Sequence, residues 1–442
     1  MRRKRIRIAS FLTALFLAVG AWGIGEHNLK KKYNRLVSLN EQASMIEYAA
    51  YMEEIRDSLN KCTYCSSSPM LSSLAARLWS ESNCAKLSLA RLGDRESHLP
   101  GTYKFLTQVG DYTLFLSDKA ARGETLTVDE QSMLKKMKRY ADKFTSQADY
   151  AVQLLASGSL SFGEHDAEYL DHQFETVHYS DASADSEKNV NDFPTLIYDG
   201  PFADNRSDKK SDFLKRKDII TKEEARKKAA ELVGAETGKI SDAGYEDGNI
   251  PSFLFSYADK TLAVTERGGY CRYLLSRFFA GEAKISVPEA INAGIEYLDK
   301  LGYRDMRENY YAEADGVLTI NYVSVINGVK CYPDLIKVSV ALDSGTVTAF
   351  DATQYLLNHK QRNLPVSAVD PASFDDCINS GLIIKKRSLA VIPTDGGDEL
   401  FTVEYLCENT EGGDALIYIN PKTRYEENIL ILTYSDNGIL TK

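Results

Sequence analysis

The hexapeptide Ile220-Thr221-Lys222-Glu223-Glu224-Ala225 returns 65 residues later as Ile285-Ser286-Val287-Pro288-Glu289-Ala290. Each copy opens a helical stretch that runs into strands separated by Gly-rich turns. A repeat of this kind restricts the fold to small α+β modules, one helix covering one face of a short antiparallel sheet. Such modules are a binding architecture until a catalytic group says otherwise. The full length of 442 residues allows two to four domains.

The chain begins with Arg2, Arg3, Lys4, Arg5 and Arg7, and residues 8–24 that follow carry no charge. That run is just long enough to span a bilayer as a helix, and the preceding cations keep the N-terminus cytoplasmic. The alternative is a cleaved signal peptide, because Ala18-Val19-Gly20 offers a small-x-small site. Both readings export the body. The whole chain carries a net charge of -10, and the cations of the tail offset a body that is more acidic still. Nucleic acid is therefore excluded as an expected partner, since phosphate backbones need clustered Lys and Arg.

After the anchor the pattern is helical. A stripe at Leu36, Leu39, Ala43, Ile46, Ala50, Glu53 and Ile55 predicts a helix over 29–59. Ser68-Pro69 predicts a helix start, Pro100 opens a third helix stopped near Gly123, and Thr127-Val128-Asp129-Glu130 has capping-box spacing. Four helices with short connections predict an antiparallel bundle. The pattern fades over 158–217, but the run 193–202, Phe-Pro-Thr-Leu-Ile-Tyr-Asp-Gly-Pro-Phe, is too apolar for a plain linker and is expected to dock.

Three modules follow. The first has a helix over 222–233 and strands over 252–257, 262–265 and 270–276. The second has a helix over 287–301, turns at Asp315-Gly316 and Asn327-Gly328, and strands over 337–342 and 347–352. The third starts near Val369-Asp370-Pro371-Ala372 and gives strands over 389–392, 401–407, 416–419 and 429–433. The domains are thus a basic tail (1–7), an anchor (8–25), a helical bundle (26–157), a linker with its docked run (158–217) and modules at 218–283, 284–362 and 363–442, the last degenerate.

Residues 285–290 and the hairpin Val340-Ala341-Leu342-Asp343-Ser344-Gly345-Thr346-Val347 resemble the opening and closing of a PepSY module, a family of small exported domains. With the anchor, the helical region and the 193–202 run, the whole chain resembles the YpeB family of spore germination proteins. Ile392-Pro393-Thr394-Asp395-Gly396-Gly397 and Tyr418-Ile419-Asn420-Pro421-Lys422-Thr423 are similar to that family's C-terminal part. Two departures stand out: Arg424 occupies a turn position usually held by Gly, and the third module lacks a Glu-Ala opening. The resemblance implies a non-enzymatic protein of the inner spore membrane, its body facing the cortex, that keeps a cortex-lytic enzyme of the SleB type until germination. It implies no catalytic, cofactor-binding or metal-binding residue.

The residues themselves point the same way. Cys62 and Cys65 form a lone C-x-x-C that Cys84 and His98 would have to complete as a zinc set, in a helical context that suits neither zinc nor redox work. His165, His172 and His178 have no ligand spacing. Cys271, Cys331, Cys377 and Cys407 are expected to be buried free thiols, and seven cysteines leave one unpaired in any scheme. No Gly-x-Ser-x-Gly elbow, His-Glu-x-x-His motif or phosphate loop occurs, and Glu223 and Glu224 read as charge favourable to a helix start. A tethered holder of a wall hydrolase is the leading function; an exported sensor or inhibitor of another wall or peptidase enzyme, and a cortex hydrolase itself, are the alternatives.

Overall fold

A computed structural model describes residues 2–92, 100–124, 126–157, 210–276, 280–394, 398–435 and 438–441, with the backbone alone for 2–21, 23–25, 435 and 438–440. The chain forms two compact units: residues 1–63 with 71–187, and residues 64–70 with 188–442.

In the first unit, α1 (Arg2–Tyr64), α2 (Ser68–Ala90), α3 (Pro100–Ala121) and α4 (Val128–Ala156) run antiparallel in sequence. Glu47 meets Ser88 and Arg91 while Ser58 meets Glu81; likewise Phe105 meets Phe144 while Lys119 meets Glu130. The capping box at α4 forms as its spacing predicts. Thr127 Oγ1 accepts from the Glu130 N–H, and the Glu130 carboxylate accepts from the Thr127 N–H at 2.7 Å and from Lys119 Nζ at 2.7 Å. These contacts, Lys119 first, hold the Glu130 carboxyl below its ordinary range.

Of the expected stripe on α1, Ile55 alone is buried. Ile46, Leu36 and Leu39 are exposed, and the buried stripe is Met45, Tyr48, Ala49, Met52, Ile55, Leu59 and Cys62. Their i, i+3, i+4 spacing gives the wider seam, carrying two Met and a Tyr against the neighbouring helices. Nor does α1 break at residue 25: its backbone is helical through the expected anchor, whose side chains, Trp22 apart, lie outside the described residues. Among the described residues no helix is long and apolar enough to cross a membrane. The 193–202 run, His98, His165, His172 and His178 also lie outside the described residues.

Among its described residues the second unit holds α5 (Asp212–Lys215), α6 (Lys222–Val233), α7 (Val287–Lys300), α8 (Thr353–Asn358) and thirteen strands. The repeated hexapeptide explains both long helices. Glu224 Oε2 accepts from the Thr221 N–H, and Glu289 Oε2 from the Ser286 N–H, each at 2.7 Å, so the Glu of the repeat is a helix cap. The first module contributes β1 (Ser241–Glu246), β2 (Ser252–Tyr257), β3 (Lys260–Thr265) and β4 (Cys271–Ser276). The second contributes β5 (Met306–Ala314), β6 (Val317–Ile326), β7 (Val329–Ala341) and β8 (Val347–Asp351). Both predicted two-residue turns are present, with Asp315, Gly316, Asn327 and Gly328 all at positive φ.

The third module, β9 (Ile383–Pro393), β10 (Glu399–Glu408), β11 (Asp414–Ile419), β12 (Glu426–Ser435) and β13 (Gly438–Thr441), has no α-helix among the described residues. A 3-10 segment, Pro371–Cys377, stands where one was expected, because Phe374 and Ile378 are its only buried apolar anchors. Cys377 lies half-exposed there and not in a strand core. Arg424 takes φ 63°, a left-handed turn that favours Gly. It is retained by its guanidinium, which bonds Asp376 at 2.5 Å and lies 4.9 Å from the Phe374 ring.

The modules are not separate sheets. β4 pairs with β8, β13 meets β5 at Gly438 and Ala312, and β7 pairs with β9 in parallel, so one ladder crosses all three. From β7 the ladder runs through β6, β5, β13, β12, β11, β10 and β9 and returns to β7. Residues 210–217, expected to be linker, belong to this unit: Leu214 is buried in its core and Ser211 Oγ donates to the Leu356 carbonyl.

Candidate functional site

The shared strand β7 is where sequence, backbone and charge converge. Val323 on β6 faces Leu335, but the next residue, Ser324, faces Cys331, so Tyr332, Pro333 and Asp334 bulge out of the ladder. Pro333 fits because it has no N–H to donate. The bulge frees the two ends of β7 to take different partners: β9 on Val329–Cys331 and β8 on Lys337–Val340. It also turns Tyr332 and Asp334 toward the third module.

Asp334 is fully buried. Its carboxylate accepts from Arg362 Nη1 and Nη2, each at 2.7 Å, and lies 2.7 Å from His359 Nδ1. The same guanidinium donates to Glu399 on β10 from Nε and Nη2 at 2.8 Å. Arg362 is thus held by two forks, a geometry that Lys cannot reproduce. Tyr332 donates its hydroxyl to Glu404 on β10, which also accepts from Lys330 Nζ at 2.7 Å and Ser388 Oγ at 2.8 Å. Burial alone would raise the Glu404 carboxyl, but Lys330 and the hydroxyls hold it below the usual carboxylate range. Asp334, Glu399 and Glu404 are therefore committed acceptors, fastening the second module to the third.

A second grip involves the turn between α1 and α2, which belongs to the sheet unit. Glu426 accepts from the Ser66 N–H at 2.6 Å, the Ser67 N–H at 2.8 Å and Ser66 Oγ at 2.9 Å. Asn379 Nδ2 donates to the Cys65 carbonyl and Asn409 Nδ2 to Tyr64 Oη. β1 is the terminal strand of the ladder, paired on one side by β2. Five of its six residues are exposed, and it is bulged between Asp242 and Gly244 and tied to α6 by the Asp242–Lys222 ion pair. A bulged, charged edge resists addition of a foreign strand. Two open cavities, about 1350 and 800 Å³, flank the β6–β7 turn, and a third of about 490 Å³ lies between α3 and α4.

Of the residues weighed for metal binding, His98, His165, His172 and His178 lie outside the described residues. Cys62 and Cys65 are buried and Cys84 is half-buried, all three unbridged. Burial pushes the Cys62 thiol up to about 12, the reverse of what a thiolate ligand needs. Among the described residues no group of three His, Cys, Asp or Glu could hold a metal ion. Asp334, Arg362, Glu399 and Glu404 stand in no motif that marks them in the sequence. Pro333 inside an apolar strand run was the signal available for the bulge.

Residues 29–164 match the family described as YpeB N-terminal, and residues 180–365 the one described as YpeB sporulation, PepSY1 and PepSY2 domains. Sporulation protein YpeB of Bacillus subtilis is 25% identical over 445 residues, covering 96% of either chain. Its namesakes in Halalkalibacterium halodurans and Oceanobacillus iheyensis are each 24% identical, covering 96% and 89% of this chain. Among solved structures, the Bacillus megaterium YpeB C-terminal domain aligns at 22% identity and a TM-score of 0.43, covering 49% of this chain and 99% of that one. The protein belongs to the YpeB family of sporulation proteins.

Proposed function

We propose that the protein is a membrane-anchored, non-enzymatic factor of spore germination. It holds, stabilises and restrains a cortex-lytic enzyme of the SleB type at the inner spore membrane, with its N-terminus cytoplasmic and its body facing the cortex. The carrying observation is the family relationship over nearly the whole chain, from the helical unit through the PepSY modules. Three features support it. The cations before residues 8–24 suit a cytoplasmic N-terminus. The buried carboxylates of Asp334 and Glu404 are engaged by Arg362, Lys330 and Tyr332, which suits scaffolding better than acid-base work. The bulged β1 edge favours partner recognition by surface complementarity over strand addition.

Deleting the gene should lower the hydrolase in spores, read by immunoblot, and slow cortex lysis. Unchanged hydrolase abundance with normal lysis refutes the proposal. Zymography of the purified body on cortex peptidoglycan tests the enzymatic alternative.

A further inference from the structure

The two cavities beside the β6–β7 turn share Ile326, Asn327 and His359 and together form one groove. Its wall is cationic in a chain whose net charge is -10. Lys215, Arg216 and Lys217 come from the end of α5, Lys360 and Arg362 from the segment after α8, and Arg304 and Arg307 from the start of β5; the lining carboxylates are Asp212 and Asp305.

Several of these cations are already engaged. Arg362 is spent on Asp334 and Glu399, Lys360 lies 3.1 Å from Glu399, and Lys215 pairs with Asp212 at 2.5 Å. Lys217 Nζ sits 4.9 Å from the Phe213 ring centroid. Arg216, Arg304 and Arg307 are exposed and have no ion-pair partner among the described residues. Asn327, Gln361 and Asn363 present exposed amide groups to the same groove, likewise without partners among the described residues.

We propose that this groove binds an acidic peptide segment of a partner protein. Arg216, Arg304 and Arg307 take its carboxylates, for which guanidinium forks are matched in shape and charge. The three amides take its backbone, since each carries both a donor and an acceptor. The combined volume exceeds what a small anion fills and calls for an extended ligand. A glycan or nucleic acid would need an open aromatic face on which to stack. The rings at the groove pack on one another: Tyr355 stacks on His359 at 4.4 Å, and Phe213 meets both edge-on. The recognition follows from the groove's own side chains, whichever protein supplies the segment, and stands apart from the identity of the partner.

The test uses the full chain in detergent and fluorescence anisotropy of labelled hexaglutamate, with hexaglutamine as the uncharged counterpart. Hexaglutamate should bind and hexaglutamine should not, and binding should fall steeply as salt rises to about 0.5 M. Combined Arg216→Glu, Arg304→Glu and Arg307→Glu should weaken it at least about tenfold, whereas Lys227→Glu, exposed on α6, should not. The arginines are exposed, so circular dichroism should be unchanged; the milder Arg→Gln set should weaken binding in the same direction. The proposal is overturned if the reversed variant binds as before, if Lys227→Glu weakens binding equally, or if a soluble muropeptide binds the groove more tightly than hexaglutamate. A groove that binds hexaglutamate in a protein that retains no hydrolase leaves this inference standing and removes the preceding one.

Discussion

Gly294, in the middle of α7, should be intolerant of even a methyl group. A Cβ placed there would lie 2.1 Å from Tyr322 Oη and 2.9 Å from Cζ, where ordinary contact is 3.4 to 4 Å. Tyr322 cannot retreat: it is fully buried on β6, and its hydroxyl donates to the Ile291 carbonyl one turn back on the same helix at 2.7 Å. Two effects oppose each other in Gly294→Ala. Alanine favours the helix by about 1 kcal/mol. Overpacking against an immobile ring costs about 3 kcal/mol, at the upper end of its usual range. The steric effect wins, with net destabilisation near 2 kcal/mol. Hydrogen exchange with mass spectrometry under rising urea reads this on α7 and β6 peptides separately from the helical unit. Gly110→Ala in α3 is the control: its nearest neighbours lie at 3.7 and 3.9 Å, so it should stabilise by about 0.5–1 kcal/mol. Adding Tyr322→Phe to Gly294→Ala removes the closest clash and should recover about half the loss. If Gly294→Ala is neutral or stabilising, the close approach of α7 to β6 is wrong.

Other perturbations test the junctions. Asp334→Asn should destabilise the sheet unit by about 3 kcal/mol in urea titrations, because Arg362 keeps Glu399 but loses a buried counter-ion. Glu404→Gln should cost about 2 kcal/mol at neutral pH, less than a sealed pair because Lys330 is part-hydrated. Its folded carboxyl is held below the ordinary value of 4.5, so its contribution is present above that pH and disappears as pH falls through the lower folded value. Wild type and variant should therefore converge in stability in acid. Iodoacetamide at pH 8 should label Cys84 and Cys377 in the native protein and spare Cys62, Cys271, Cys331 and Cys407, whose thiols burial pushes up to about 12. Native labelling of Cys331 would contradict its burial within β7.

What was legible in the sequence is what neighbours in sequence decide. The helix over 222–233, the Thr127 capping box and the Asp315-Gly316 and Asn327-Gly328 turns each depend on residues within one turn of each other, and each appears as expected. The buried face of α1 depends instead on which of two adjacent apolar stripes the other helices cover. Ile46 is the more apolar residue, yet Met45, Tyr48 and Met52 are buried. The groove was illegible for a related reason, since Arg216, Arg304 and Gln361 come together only once β6 and β7 have turned at Asn327.

The forked strand β7 determines how the protein can be dissected. A chain ending near residue 362 would leave Val329–Cys331 unpaired on one side and Arg362 without Glu399, exposing a strand edge beside a buried, half-compensated charge. A fragment starting at residue 217 would lose Leu214 from the core and the Ser211 bond to Leu356. The smallest informative piece therefore starts at or before residue 210 and keeps β13, whose contact with β5 closes the ladder. If a fragment of residues 218–362 nevertheless unfolded cooperatively in urea with undiminished midpoint, the second and third modules would be independent. The shared charges at Asp334, Arg362 and Glu399 would then be ornament and not fastening.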